Sequence, residues 1–214
     1  MLSSDLQSRL RLIVITDQDL ASPRSIVEIV ADALAAGAPA IQLRSKTASA
    51  RELQESGSEL LSLTRPAGAL LFINDRLDVA LAIGADGVHL GPDDIPVSEA
   101  RRAVPDSFLI GTSTDNPQQA AQLQHDGADY IGCGTVYPTT TKSDAGQIIG
   151  LPGLDRVARS VDVPVIGIGG INVERSAEVS TTYASGIAVV SAVMQTSDVP
   201  ETIVSLLAPW AERD

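Results

Sequence analysis

A single cysteine in 214 residues, Cys133, excludes an intramolecular disulfide and fits a reducing compartment. Aromatic residues are only 3% of the chain, so Leu, Ile, Val and Ala must fill its interior. No run reaches the ~18 consecutive apolar residues of a membrane-spanning helix, and the first residues lack the basic-then-apolar pattern of an export signal. The expected location is therefore the cytoplasm. Positive charge is also scarce. Fifteen Lys and Arg stand against 27 Asp and Glu, a formal net charge of −12, which argues against a nucleic acid or an anionic membrane as partner. Neither histidine, His89 or His125, has metal-ligand spacing to the cysteine or to the other, so zinc is not expected. There is no Gly-x-Ser-x-Gly elbow and no P-loop lysine motif.

What the chain does have is apolar content, 44%, enough for the core of one domain over residues 1–214. Short apolar runs recur along it: Leu12–Thr16, Ala40–Leu43, Leu70–Ile73, Gly87–Leu90, Phe108–Gly111, Tyr130–Cys133, Val165–Ile168 and Gly186–Val190. They mostly lack polar–apolar alternation, as expected of strands covered on both faces. Helical patterns fall between them, over Ser25–Ala36, Ala48–Leu63, a short Arg76–Ile83, Pro117–Gln124, Leu154–Ser160 and Ser191–Leu207. Eight strand–helix units predict an α/β fold, a closed parallel (β/α)₈ TIM barrel. A doubly wound open sheet is the competitor, but no Rossmann glycine fingerprint follows the first strand.

Polar side chains gather at or just after the ends of the strands. They are Asp17, then Gln42, Arg44 and Lys46, then Asn74-Asp75-Arg76, then His89 and Asp93-Asp94, then Ser113, then Thr139, Thr141 and Lys142, then Gly169-Gly170, then Ser191. A barrel brings these positions to its carboxyl face. Gly169-Gly170 lets backbone approach a ligand closely, and with Ser191 after the last strand it forms an expected phosphate site. Asp75 and Asp94 could share a Mg²⁺ ion, a cation that takes further oxygens from phosphates and water, or could simply cap the helices that follow. Asp93 is close enough to compete with Asp94. Arg44, Lys46 and Lys142 would reverse the sign of the field for an anionic, phosphate-bearing small molecule. His89 reads as a core histidine more than a site residue, His125 as surface and Cys133 as buried filler. The longest connection, after the sixth strand, carries Tyr137-Pro138-Thr139-Thr140-Thr141-Lys142. Its three threonines suit neither a helix nor a tight turn, and long connections in compact domains are usually functional.

With these stretches in view the chain resembles the thiamine-phosphate synthase family. The matching segments are Ile15-Thr16-Asp17, Gln42 to Lys46, Ile73 to Arg76, Gly87 to Gly91, Gly111-Thr112-Ser113, Gly132 to Lys142, Ile168 to Ile171 and Val189 to Ala192. The resemblance implies an enzyme, a transferase that joins a hydroxymethylpyrimidine diphosphate to a thiazole phosphate and releases diphosphate. It assigns Gln42, Arg44, Lys46, Asn74, Ser113 and Lys142 to the pyrimidine diphosphate, with Lys142, Arg44 and Ser113 closest to the chemistry. It assigns Asp75 and Asp94 to Mg²⁺, and Thr139, Thr141, Gly170, Val190 and Ser191 to the thiazole phosphate. A homo-oligomer is compatible with it. Two departures stand out. Gly91-Pro92-Asp93-Asp94 replaces the family's usual Gly-Gln-Glu-Asp, and Tyr183-Ala184-Ser185-Gly186 replaces Gly-Ala-Asp-Gly, where a turn is expected to change and the site to be spared. The alternatives are a thiazole tautomerase on the same barrel, which lacks the threonine loop, and a non-catalytic sensor of phosphate ligands.

Overall fold

A computed structural model of the chain describes residues 2–139, 141 and 147–211. Eight parallel strands close into a barrel in sequence order: β1 (Leu12–Ile15), β2 (Ala40–Leu43), β3 (Leu70–Asn74), β4 (Gly87–Leu90), β5 (Leu109–Ser113), β6 (Tyr130–Cys133), β7 (Val165–Ile168) and β8 (Gly186–Val189). β8 pairs back onto β1 through Leu12–Ile187 and Val14–Val189. Outside the strands lie α1 (Leu2–Arg9), α2 (Gln18–Ala21), α3 (Ile26–Ala35), α4 (Ala50–Ala67), α5 (Leu77–Ile83), α6 (Val97–Ala103), α7 (Pro117–His125), α8 (Gly150–Ala158), α9 (Val173–Val179), α10 (Ser191–Met194) and α11 (Val199–Leu207). None of the described helices is long and apolar enough to cross a membrane.

The strand expectations hold, with one useful shift. β5 runs on to Ser113 because Thr112 and Ser113 pair with Ile131 and Gly132, which makes Ser113 a strand residue. Helix ends differ more. α4 continues past Leu63 and through Pro66 to Gly68, whose left-handed conformation (φ 70°) lets its N–H reach the Arg65 and Thr64 carbonyls. The single helix expected over Ser191–Leu207 is two. Asp198 caps a new helix by accepting from the Glu201 N–H at 3.1 Å, and Pro200 sits in its first turn. α1, α2, α6 and α9 were not expected; all but α1 and α6 start at an Asp or Asn whose side chain accepts backbone N–H groups.

Strand alternation divides the core. Ile41, Leu43, Leu71, Ile73, Val88, Ile110, Ile131 and Ile187 face the helices, in the larger apolar layer. Ile13, Ile15, Ala40, Leu70, Phe72, Tyr130, Ile166 and Ala188 face inward and fill the barrel. With 3% aromatics, one pair does most of the interior filling: Phe72 and Tyr130 meet edge to face at 5.2 Å, a contact that adds about 0.5–1.5 kcal/mol to their burial. Tyr130 fits because the residue beside it in the register is Gly111, where a Cβ would lie 2.0 Å from the ring. Counting on by twos from the inward positions, from Leu109 packed against the same layer and from Gly87 beside the Phe72 ring gives Asp17, Gln42, Arg44, Asn74, His89 and Ser113. Period two thus turns the polar strand ends into the barrel mouth.

Candidate active site

The Gln42, His89, Ser113 and Tyr130 side chains form one hydrogen-bonded chain across the interior. His89 Nδ1 is 3.0 Å from the Tyr130 hydroxyl, His89 Nε2 is 2.7 Å from Ser113 Oγ, and Tyr130 also bonds the Gln42 side chain. Burial holds the Tyr130 phenol far above its ordinary pKa, so it stays neutral and hydrogen-bonding. Gly132 makes room for the chain, since a Cβ there would lie 3.1 Å from the imidazole and 3.4 Å from Ser113 Oγ. His89, read from sequence as structural, is in direct contact with a candidate site residue. Nothing near it in sequence signals this, because Tyr130 is 41 residues away and Ser113 is 24.

Above this floor lies a cavity of about 340 Å³. Ser113 lines it from β5, Thr139 and Thr141 from the threonine loop, Gly170 from the loop after β7, and Val190 and Ser191 from the end of β8. Pro92, the residue that departs from the family pattern, also lines it. Gly170 is at φ 63°, and a Cβ there would sit 2.5 Å from the Pro138 carbonyl, so the turn and the threonine loop touch with no room for a side chain. A second opening is lined by Arg44, Lys46 and Thr141, and a third by Thr139, Thr141, Gly170 and Ser191. Thr141 borders all three, with its N–H on Thr139 Oγ1 at 3.2 Å. Lys142 lies outside the described residues, as does Thr140.

Arg44 is 9% exposed, its backbone N–H held by Thr16 Oγ1 at 3.0 Å. Its described ion pair, with Asp17, is long at 3.9 Å, and Asp17 already accepts from the Asp19 and Leu20 N–H groups as the cap of α2. A nearly buried guanidinium with so loose a partner suits an anionic ligand. Lys46 is exposed at the rim.

Asn74, Asp75 and Asp94 line none of these cavities; Asn74 ends β3, Asp75 follows it, and Asp94 lies in the loop after β4, the adjacent strand paired at Asn74–His89. Neither carboxylate occupies the N-cap position of the helix that follows it. α5 begins after Arg76 and α6 after Pro96, neither with a side-chain cap. Asp75 instead sits in the left-handed region (φ 65°), the only described non-glycine residue there, in a three-residue turn closed by the Arg76 N–H on the Asn74 carbonyl at 2.8 Å. The Asp94 carboxylate accepts from the Gly91 N–H at 2.7 Å and is half-buried, while Asp93 is exposed. Arg76 is bound to Asp78 through two hydrogen bonds of 2.8 and 2.6 Å.

Ser191 is the first residue of α10 and does not cap it; Val190 occupies that place. Tyr183 and Ser185 lie before β8, at the opposite end of the barrel, where Ser185 donates its N–H to the Val165 carbonyl and Arg159 stacks on Tyr183. None of the described candidate site residues lies at that end. His125 is exposed at the end of α7, and Cys133 is fully buried.

Comparisons with known proteins place the chain in a family. The thiamine monophosphate synthase family model matches residues 12–193. The chain belongs to that family. A thiamine-phosphate synthase of Pyrococcus furiosus is 48% identical over 195 residues, covering 91% of this chain and 92% of the relative. One from Chloroflexus aurantiacus is 48% identical over 189 residues, covering 88% and 87%. The solved structure of a thiamine phosphate pyrophosphorylase from Pyrococcus furiosus superposes with a TM-score of 0.89 at 46% identity, over 97% of this chain and 98% of that one. Membership carries the activity class: an enzyme of thiamine biosynthesis, a transferase that forms thiamine phosphate. The family model stretches from β1 to just beyond the start of α10, so it takes in every strand and every segment of the candidate site.

Proposed function

We propose that the chain condenses 4-amino-2-methyl-5-hydroxymethylpyrimidine diphosphate with hydroxyethylthiazole phosphate, or its carboxylated form, and that Mg²⁺ assists. The observation that carries this reading is the shared cavity. Ser113, expected against the pyrimidine, faces the same space as Thr139, Thr141, Gly170, Val190 and Ser191, expected against the thiazole phosphate. Thr141 borders both that space and the opening with Arg44 and Lys46, so one loop would touch both substrates. A binding module for a single phosphate ligand has no need of two joined compartments, and a tautomerase acts on one substrate.

The bond between the pyrimidine methylene carbon and the diphosphate oxygen breaks, and the electron pair leaves with diphosphate. The thiazole nitrogen then uses its lone pair to form the new C–N bond. With the carboxylated thiazole, the C–CO₂ bond then breaks, its electron pair stays with the ring system, and one proton taken up from solvent completes the aromatic thiazolium. Such a dissociative path asks for charge stabilisation on the leaving group and alignment of the two reactants, more than for a general base. Arg44, Lys46 and Lys142 would bind the departing charge. Gln42 and Ser113, linked through Tyr130 and His89, would hold the pyrimidine edge in a fixed orientation. The Gly170 turn and Ser191 would hold the thiazole phosphate.

The donor set fits Mg²⁺. Asp75 directly follows β3 and Asp94 lies in the loop after the adjacent β4, neither is the N-cap residue of the next helix, and Asp94 is fixed by a backbone N–H. Two protein carboxylates would leave coordination positions for diphosphate oxygens and water, as Mg²⁺ prefers. Asp75 and Asp94 would hold the ion, and its charge would neutralise the leaving diphosphate.

The test is to incubate the protein with both substrates and Mg²⁺ and follow thiamine phosphate and diphosphate together. Equimolar appearance is expected, with loss on chelation. Failure under conditions where a Pyrococcus relative turns over, with isomerisation of the thiazole alone, would favour the tautomerase reading.

A further inference from the structure

The cations read from the sequence, Arg44, Lys46 and Lys142, are all assigned to the diphosphate. Arg44 and Lys46 line the opening on the β2 side, yet the second substrate also carries a phosphate. The opening bordered by Gly170 and Ser191 has two carboxylates on its wall, Asp17 and Asp19, in a protein of net charge −12. Among the described residues lining that opening, one is a cation: Arg175.

Arg175 is held where a phosphate ligand of the Gly170 turn would need it. Its Nη1 donates to the Gly170 carbonyl at 2.5 Å, and its guanidinium carbon lies 4.6 Å from the centre of the Tyr137 ring. Tyr137 is itself fixed, donating its hydroxyl to the Glu178 carboxylate at 2.6 Å. Glu178 lies three residues beyond Arg175 on α9, so one helix face grips the glycine turn and the start of the threonine loop together. The helix is rigidly seated from its other side. Ser176 is fully buried, donates its hydroxyl to the Leu206 carbonyl at 2.8 Å and accepts from the Trp210 indole N–H at 3.0 Å. The end of the guanidinium is therefore placed beside the Gly170 peptide by that bond and by the Tyr137 ring, on a helix seated from its other side. A guanidinium has five N–H donors in a planar fork that matches phosphate oxygens, and the Gly170 carbonyl takes one of them.

Building on the synthase reading, we infer that Arg175 is the phosphate-recognising cation of the thiazole subsite and sets the preference for the phosphorylated second substrate. It neutralises the phosphate against Asp17 and Asp19, and its bond to Gly170 keeps the turn's N–H directed at the same anion.

The test compares wild type with Arg175→Met, which keeps the length and apolar stem of the side chain, and with Arg175→Lys, which keeps only the charge. In steady state, Arg175→Met is expected to raise KM for hydroxyethylthiazole phosphate by about ten- to a hundredfold. KM for the pyrimidine diphosphate and kcat should stay near wild type, and Arg175→Lys should fall between. Inhibition by the unphosphorylated thiazole alcohol should be the same in all three proteins. An unchanged KM for the thiazole phosphate overturns the inference. So does a variant in which both KM values, kcat and alcohol inhibition shift together with a lowered Tm, because that is the pattern of a bond that only holds the fold. Calorimetric titration of hydroxyethylthiazole phosphate into the same proteins asks the question without turnover. A wild-type protein that makes no thiamine phosphate defeats the synthase reading, whereas equal phosphate-ester affinity in wild type and Arg175→Met defeats only the role of Arg175.

Discussion

Replacing Asp75 by glycine and, separately, by alanine measures what its backbone conformation costs. Asp75 is at φ 65° in a three-residue turn closed by a 2.8 Å bond from the Arg76 N–H to the Asn74 carbonyl. Holding an L side chain in the left-handed region costs roughly 1–2 kcal/mol, and glycine escapes that cost. Working the other way, glycine loses more freedom on folding, about 0.4–1 kcal/mol against alanine. The steric cost is the larger, so Asp75→Gly should be more stable than Asp75→Ala by about 1 kcal/mol. For a chain of this size that is a Tm difference of about 2–4 °C. Both variants lose the carboxylate, so whatever the side chain contributes cancels between them. Thermal unfolding of the two proteins in one buffer is the assay, with turnover measured across Mg²⁺ concentrations beside it. Both should lose Mg²⁺-dependent activity, the glycine variant while unfolding at the higher temperature. An alanine variant as stable as the glycine one would show that the turn is not strained. A glycine variant that is stable and fully active would remove Asp75 from the site altogether. The expected outcome would mean that stability has been given up to aim a carboxylate, as strained positions at functional sites commonly do.

His89→Phe keeps a ring of similar shape but leaves the Ser113 and Tyr130 hydroxyls without their partner. KM for the pyrimidine diphosphate should rise about tenfold or more while KM for the thiazole phosphate holds; no change in either would make the histidine mere core. Lys142→Ala should slow turnover by about a hundredfold or more if its charge meets the leaving group, and near-wild-type kcat in single-turnover measurements would exclude it from the chemistry. Burial pushes the Cys133 thiol up to about 12, so the neutral thiol persists throughout the range from neutral to moderately alkaline pH. A thiol reagent at pH 8 should find none of it in the native protein and one equivalent per chain in denaturant; rapid native labelling would contradict the burial. Asp94→Asn should abolish the Mg²⁺ dependence without unfolding the protein, and an unchanged Mg²⁺ profile would move the ligand elsewhere.

How much of this could be read from the chain depends on where each piece of information lies. The barrel was legible because its strands are short, β-branched and separated by helical segments, and the closure follows from eight such units. The candidate site residues on strands were legible for the same reason: a residue two beyond an inward-facing position is also inward-facing, which puts Gln42, Arg44, Asn74 and Ser113 at the mouth. What those residues bond to was not. The chain from Gln42 through Tyr130 and His89 to Ser113 joins four strands, and no local pattern announces a contact between β4 and β6. The carboxylates were ambiguous because Asp before a helix is as good a cap as a ligand, and the sequence does not show that α5 and α6 take Arg76 and Pro96 as their N-cap residues.

Arg175 is the instructive omission. In the run Asn172-Val173-Glu174-Arg175, an Asn cap followed by alternating charges, it has every mark of a solvated helix start. Its significance comes from the glycine turn five residues earlier, which folds back so that the Gly170 carbonyl meets the guanidinium, and from a tyrosine brought in by the threonine loop. Sequence reasoning places cations at strand ends and finds Arg44, Lys46 and Lys142, all assigned to the diphosphate. The electrostatic requirement is more general than that. Both proposed substrates are anionic and the chain has twelve excess negative charges, so on that reading each anionic group needs its own local reversal of sign. Asking which cation answers the second phosphate leads to the helix after β7, and the structure has Arg175 there.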